Sequence, residues 1–174
     1  MVSNISLRDL GFVRVGAAVP ELEVADVDYN VAKLIECMRE AVGRQVQILV
    51  APELAVTGYT SQDLFLQKVF LDKAEEGLTR LKEATQGHHM VFVVGMPLRA
   101  EGKLFNCAVL MQGGRILGIV PKMYLPNYKE FYEKRWFSSA SDLRGLNVML
   151  CGEMVPIGAD LLFRAIESPD VVIG

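Results

Sequence analysis

The sequence predicts an α/β domain whose sheet mixes parallel and antiparallel strands. In its first half, short apolar runs rich in β-branched residues alternate with longer stretches in which apolar residues recur every three or four positions. Two further strand-like runs are then separated by a Gly-Gly pair, which is the pattern of a β-hairpin. Alternating strands and helices favour parallel pairing, and a hairpin joins antiparallel strands, so one sheet is expected to contain both.

The first strand and the first helix have clear boundaries. Residues Phe12–Val19 read FVRVGAAV, a strand pattern that Pro20 ends. Apolar residues then recur at helical spacing over Val27–Val42, and Asp26 and Gly43 are the predicted N-cap and stop.

A second strand, helix and third strand follow. Val46–Val50 is a short apolar run that leads through a proline to Glu53, as a buried strand would. Helical spacing returns over Leu71–Ala84, and Gly87 closes that helix. Met90–Gly95 is then predicted as another buried strand.

The second half combines a hairpin with a long irregular loop. Lys103–Met111 and Arg115–Val120 are the two hairpin strands, joined through a Gln-Gly-Gly turn. Lys122–Leu143 has no clean periodicity and is crowded with aromatic residues, which is typical of a functional loop. Short strand-like pieces complete the chain: Asn147–Leu150, Asp160–Ile166 and Asp170–Ile173. The last piece reads as a buried strand that stops mid-element, so we expect a domain truncated at its C-terminus; the alternative is a domain that simply ends on a central strand.

Composition indicates one globular domain over residues 1–174 and excludes several function classes. Apolar residues make up 51% and charged residues 22%, which is enough apolar material for a sizeable core. The 18 basic and 21 acidic residues give a net charge of -3, which argues against nucleic-acid binding. No apolar run approaches the roughly 18 residues that cross a bilayer, so no membrane association is expected.

The cysteines and histidines indicate a reduced, cytoplasmic protein without a metal site. Cys37, Cys107 and Cys151 are an odd, widely spaced set, unlike a disulfide framework or a Cys-x-x-Cys metal motif. The two histidines, His88 and His89, are adjacent and do not complete a zinc site with these cysteines.

Two charged residues stand where α/β folds collect catalytic groups. Glu53 and Lys122 each follow an apolar strand and a proline, and we expect them to end adjacent strands and to share one pocket. A half-buried Glu53 would serve as a base, and a held Lys122 would stabilise an oxyanion. Taken singly, each is also compatible with an ordinary surface role: a strand-end glutamate paired with a cation, or a solvated lysine.

The aromatic residues of the loop leave three interpretations open. They interleave with charged residues, so they would line a pocket locked by ion pairs, form an oligomer contact, or bind nucleic acid. Net acidity makes the third the weakest. The aromatic residues of this loop are Tyr124, Tyr128, Phe131, Tyr132, Trp136 and Phe137.

Three motif blocks resemble the nitrilase superfamily of carbon–nitrogen hydrolases over essentially the whole chain. Residues 52–59 read PELAVTGY, residues 121–137 read PKMYLPNYKEFYEKRWF, and residues 155–163 read VPIGADLLF. Within the superfamily, the blocks look most like the N-terminal glutaminase domains of glutamine-dependent NAD synthetases.

The resemblance implies an α-β-β-α sandwich and a set of site residues. Glu53 matches the family's general base, and Lys122 matches its oxyanion-stabilising lysine. Glu130 matches a second glutamate that orients the lysine and the substrate. Tyr59 and Tyr128 fall where this subgroup places aromatic residues around glutamine.

The resemblance also implies a nucleophilic cysteine that this chain lacks. In the family that cysteine follows a strand like Val171–Gly174, so we expect it just beyond Gly174. The three cysteines present read as structural, and Cys151 is kept as the alternative nucleophile. The ATP-binding signature of a synthetase half is also missing from these residues, so ATP and Mg²⁺ are expected for that absent domain and no cofactor for this one.

The expected function is therefore glutamine hydrolysis that supplies ammonia for ATP-dependent amidation of nicotinic acid adenine dinucleotide to NAD. The expected partners are glutamine, a synthetase domain of the same polypeptide, and further copies in a homo-oligomer. The chain by itself is expected to be inactive. A stand-alone nitrilase-like amidase and a non-catalytic scaffold or oligomerisation domain are the alternatives.

Overall fold

A computed structural model describes residues 11–166 and 170–174. Its main sheet has five strands in the order β1-β2-β3-β4-β5, with β1, β2 and β3 parallel and β3, β4 and β5 successively antiparallel. The predicted α/β class and mixed sheet are confirmed. The strands are β1 (Val15–Ala17), β2 (Ile48–Val50), β3 (Val91–Ala100), β4 (Lys103–Gln112) and β5 (Arg115–Pro121).

Two helices cover the sheet's parallel half. They are α1 (Val27–Gly43) and α2 (Lys68–Ala84). The predicted N-cap is confirmed, because Asp26 Oδ1 accepts a hydrogen bond of 2.9 Å from the Tyr29 N–H. The helices approach closely at Gly77, where an added Cβ would lie 2.7 Å from a methyl group of Val27. Across the described ranges, neither helix is long and apolar enough to span a bilayer.

The third strand is longer than the sequence indicated. β3 does not end at Gly95 but continues to Ala100, and a turn with positive φ at Glu101 and Gly102 returns the chain into β4. The predicted end at Gly95 was wrong: the strand runs on through Pro97, whose missing N–H is tolerated where it pairs with Asn106. The Gly113-Gly114 hairpin is confirmed, with positive φ at both glycines.

The C-terminal segment forms two small antiparallel pairs. β6 (Asn147–Leu150) pairs with β7 (Glu153–Pro156), and Ile157 forms a parallel bridge to Ile119 of β5. The predicted strand over 160–166 is reduced to β8 (Phe163–Arg164), which pairs with β9 (Val172–Ile173). The expectation of a buried final strand was wrong: β9 lies outside the main sheet, and Val172 is 44% exposed.

Candidate active site

The segment that carries Glu53 crosses the sheet to reach Lys122. The expectation that these residues end adjacent strands was wrong, because β3 and β4 separate β2 from β5. Three strand spacings of about 4.8 Å would hold the two strand ends roughly 14 Å apart. The structure nevertheless brings the side chains together, with Lys122 Nζ 2.6 Å from Glu53 Oε1.

Gly95 allows this crossing. A Cβ built at Gly95 would lie 2.6 Å from the Pro52 carbonyl oxygen and 2.8 Å from the Glu53 carbonyl carbon. Both are backbone atoms, so no side-chain rotation would relieve the overlap. The Val56 N–H donates to the Gly95 oxygen at 3.2 Å, which ties the crossing segment to β3. The turn that presents Glu53 includes Leu54 with a φ of +50°.

Lys122 lies between two carboxylates. Its ammonium donates to Glu53 at 2.6 Å and to Glu133 Oε1 at 2.9 Å. Partial burial opposes the charge, but the hydrogen bonds that the ammonium donates to both carboxylates outweigh it and raise the pKa of Lys122 above its ordinary value. The lysine is therefore a fixed cation at neutral pH, as oxyanion stabilisation requires.

Glu133 is the buried member of this cluster. Its side chain is 3% exposed, whereas that of Glu53 is 43% exposed and open to a substrate. Glu133 Oε1 also accepts a hydrogen bond of 2.7 Å from the Tyr59 hydroxyl. Burial and this carboxylate raise the pKa of Tyr59 well above its ordinary value. Glu133 Oε2 is buried and has no hydrogen-bond partner among the described residues.

The structure does not bring Glu130 to Lys122. Glu130 is exposed, and the second carboxylate on the lysine belongs to Glu133, three residues later. Tyr128 is 65% exposed and packs edge-on against Phe131 at 5.9 Å. Of the two predicted substrate-binding tyrosines, Tyr59 thus joins the cluster, and Tyr128 lies in the exposed part of the same loop.

A signal for Glu133 was present in the sequence but not decisive. The residue lies one helical turn before Phe137, which is buried, and the Phe137 N–H donates to its carbonyl at 2.9 Å. The chain forms a short 3₁₀ turn over Glu133–Arg135 at this point. Without regular periodicity in the loop, the sequence did not distinguish which of its glutamates faces inward.

The loop is anchored to the segment that follows the Glu53 turn. Arg135 donates to both oxygens of Asp63 at 2.8 Å, and the indole N–H of Trp136 donates to Asp63 Oδ1 at 2.8 Å. These donors lower the pKa of Asp63 far below its usual range. Phe65 packs against the aromatic rings of the loop, with its ring centroid 6.0 Å from that of Trp136 and 5.0 Å from that of Phe137. An ion pair and packed aromatic rings therefore fix this end of the loop, and the pocket interpretation of its residues stays a prediction.

Asn106, which sequence reasoning missed, also reaches the site from β4. Its Nδ2 donates a short hydrogen bond to Glu53 Oε1, and its main-chain oxygen accepts from the Lys122 N–H at 2.8 Å. An asparagine in an apolar strand was the available signal, because a buried amide needs hydrogen-bond partners.

The three cysteines are not hydrogen-bonded to this cluster in the part of the chain that the structure describes. Cys107 lies inside β4, and burial raises its thiol pKa strongly. Cys37 lies on α1, and desolvation raises its pKa as well. Cys151 contacts Glu75 instead, with its N–H 2.9 Å from Glu75 Oε1. Among residues 11–166 and 170–174, no group of three His, Cys, Asp or Glu residues could hold a metal ion.

Comparison with known proteins matches residues 14–174 to the carbon–nitrogen hydrolase family. The chain belongs to that family. The glutamine-dependent NAD(+) synthetase of Mycobacterium tuberculosis is 37% identical over 163 residues, covering 94% of this chain and 24% of that protein. A crystal structure of a glutamine-dependent NAD(+) synthetase from Cytophaga hutchinsonii superposes with a TM-score of 0.81 at 29% identity, over 88% of this chain and 26% of that one.

More distant solved structures also have this fold. An amidase from Nesterenkonia sp. superposes with a TM-score of 0.63 at 19% identity, covering 84% of this chain and 54% of that one. The nitrilase-like fold class is thereby confirmed. The chain spans about a quarter of the length of the NAD(+) synthetases it matches.

Proposed function

We propose that this carbon–nitrogen hydrolase domain is the glutaminase part of a glutamine-dependent NAD synthetase. The observation that carries the proposal is the position of Lys122, whose Nζ lies 2.6 Å from Glu53 Oε1 and 2.9 Å from Glu133 Oε1. A partly exposed base beside a permanently charged lysine is what amide hydrolysis through a covalent intermediate needs.

In the first step, Glu53 takes the proton of a cysteine thiol, and the thiolate sulfur attacks the side-chain amide carbon of glutamine. The carbonyl π electrons move to oxygen, and Lys122 stabilises the oxyanion that forms. Glu53 then gives its proton to the amide nitrogen as the carbon–nitrogen bond breaks. Ammonia leaves, and a thioester remains.

In the second step, water attacks the thioester carbon while Glu53 takes one of its protons. The carbon–sulfur bond breaks, the sulfur recovers the proton, and glutamate is released. Glu133 acts through Lys122 in both steps, since its buried carboxylate keeps the ammonium charged and oriented. Tyr59 holds Glu133 through the hydrogen bond of 2.7 Å between its hydroxyl and Oε1.

The nucleophile is proposed to be a cysteine located beyond Gly174. The surroundings of the cysteines in this chain support that choice. Cys107 is 2% exposed within a strand, and Cys151 is engaged with Glu75. Burial raises the pKa of both thiols, the opposite of what a nucleophile requires.

The rest of the proposed enzyme rests on the resemblance to glutamine-dependent NAD synthetases. Ammonia would pass to a synthetase domain of the same polypeptide, where ATP and Mg²⁺ activate nicotinic acid adenine dinucleotide for amidation. Cofactor binding is proposed for that domain alone, and assembly into a homo-oligomer is proposed for the whole enzyme.

The test uses the proposed longer polypeptide, in which the nucleophilic cysteine and the synthetase domain follow this chain. Purified protein is supplied with ATP, Mg²⁺ and nicotinic acid adenine dinucleotide, with either glutamine or ammonium as the nitrogen source, and glutamate and NAD are measured. We expect glutamine to support NAD formation, with at least one glutamate released for each NAD formed. Hydrolysis without NAD formation from either source would identify a stand-alone amidase. No hydrolysis, with a correctly folded domain, would identify a scaffold.

A further inference from the structure

Asn106 is a buried polar residue that forms hydrogen bonds with both Glu53 and Lys122, the two members of the catalytic ion pair. It is 4% exposed in β4. Its side-chain amide donates to Glu53 Oε1, and its carbonyl oxygen accepts from the Lys122 N–H at 2.8 Å. Because Glu53 arrives from β2 and Lys122 from β5, Asn106 joins segments that no direct strand pairing connects.

These hydrogen bonds leave the two carboxylate oxygens of Glu53 in different environments. Oε1 accepts from Asn106 and also from the Lys122 ammonium at 2.6 Å. Over residues 11–166 and 170–174, no hydrogen bond reaches Oε2. With Oε1 occupied twice, Oε2 is the oxygen left to accept a proton.

Little else restrains the Glu53 side chain. It is 43% exposed, and a glutamate retains three rotatable side-chain bonds. Lys122, its other partner, is shared with Glu133. Without the amide of Asn106, the carboxylate would therefore be free to rotate away from the lysine.

We propose that Asn106 is a positioning residue that holds Glu53 with Oε1 on Lys122 and Oε2 toward the group to be deprotonated. The inference rests on the proposed amide hydrolysis, and it assigns Asn106 no contact with substrate. Its loss should therefore lower kcat and leave KM unchanged. A misplaced catalytic group typically lowers the rate by about 10- to 100-fold.

The experiment compares Asn106→Ala and Asn106→Ser with Thr85→Val in the longer polypeptide. Thr85 is a matched control: it is 1% exposed, and its hydroxyl donates to the Lys82 carbonyl at 2.7 Å and accepts from the Gly114 N–H at 2.8 Å, outside the catalytic cluster. We expect both Asn106 variants to lose about 10- to 100-fold in kcat for glutamine with KM within about twofold of wild type. Thr85→Val should keep kcat while lowering the melting temperature.

A crystal structure of Asn106→Ala separates this inference from the proposed function. We expect Glu53 to leave Lys122, with all carboxylate–ammonium distances beyond about 4 Å. If the wild type hydrolyses no glutamine but Glu53 moves in this way, the positioning role stands and the proposed reaction falls. If the wild type is active and either Asn106 variant keeps kcat within about threefold, or if Glu53 stays on Lys122, the inference is overturned.

Discussion

Replacing Glu133 with glutamine removes the buried negative charge on Lys122 and preserves the shape of the side chain. The amide keeps an oxygen that can accept from Tyr59, so the hydrogen bond of 2.7 Å there need not break. The loss is confined to the electrostatic support that the carboxylate gives to the ammonium 2.9 Å away.

The geometry bounds the size of this effect. Two unit charges at that separation attract by about 6 kcal/mol at an effective dielectric of about 20. Removing water from a carboxylate that is 3% exposed offsets much of this attraction. The net value of a hydrogen bond to a charged group, about 1.5–3 kcal/mol, is the better guide. Loss of that stabilisation in the transition state predicts a fall in kcat for glutamine of about 10- to 150-fold.

Glu130→Gln is the matched control, because it makes the same chemical change three residues away on an exposed side chain. We expect it to change kcat by less than about twofold. The assay measures glutamine-driven and ammonia-driven NAD formation side by side, so that a general loss of folded protein lowers both rates. A larger effect from Glu130→Gln than from Glu133→Gln would refute the geometry described above and restore Glu130 as the partner of the lysine.

Three further outcomes follow from the same contacts. Gly95→Ala should destabilise the domain by about 1–3 kcal/mol in urea unfolding and reduce hydrolysis, since its Cβ would overlap backbone atoms. Gly43→Ala is the control, because its Cβ meets no atom within 4 Å and the substitution should be neutral or stabilising. Equal effects of the two substitutions on stability would contradict the crossing over Gly95. The Tyr59 phenol should ionise well above the ordinary pKa of about 10. Because the folded protein then binds the phenol proton more tightly than the unfolded chain does, this proton stabilises the fold below about pH 10, and that stabilisation is lost as the pH rises above about 10. A wild-type minus Tyr59→Phe absorbance titration at alkaline pH checks this, and a midpoint near 10 would contradict it. The 174-residue chain should release no glutamate from glutamine, with or without Cys151→Ser; turnover abolished by that substitution would make Cys151 the nucleophile.

The sequence predicted the elements whose signals are local. α1 has apolar residues at helical spacing along its length and an N-cap at Asp26. The Gly113-Gly114 hairpin has glycines where its turn requires a positive φ. The end of β3 was wrong because a proline is ambiguous in a strand, and the final strand was wrong because burial depends on what a strand packs against. Apolar composition alone does not specify that environment.

The sequence predicted that Glu53 and Lys122 meet, but not the path of the chain that brings them together. Glu53 and Lys122 stand at equivalent strand-proline positions, which marked them as candidates. Their contact depends on a crossing over Gly95 between strands that are not neighbours, and strand order is a tertiary property. Glu133 was missed because its role comes from burial within an irregular loop. Asn106 was missed because its role comes from a position in the middle of a strand. Neither position has a periodic signature in the sequence.

Lys122, held by two carboxylates, is proposed to stabilise the charge that develops during hydrolysis of glutamine. The most direct test is Lys122→Met in the longer polypeptide, with NAD formation measured from glutamine and from ammonium. We predict that the glutamine-driven rate falls by about 10²- to 10³-fold while the ammonia-driven rate stays near that of wild type. Glutamine-driven NAD formation at the wild-type rate, or an equal loss from both nitrogen sources, would contradict this role of Lys122.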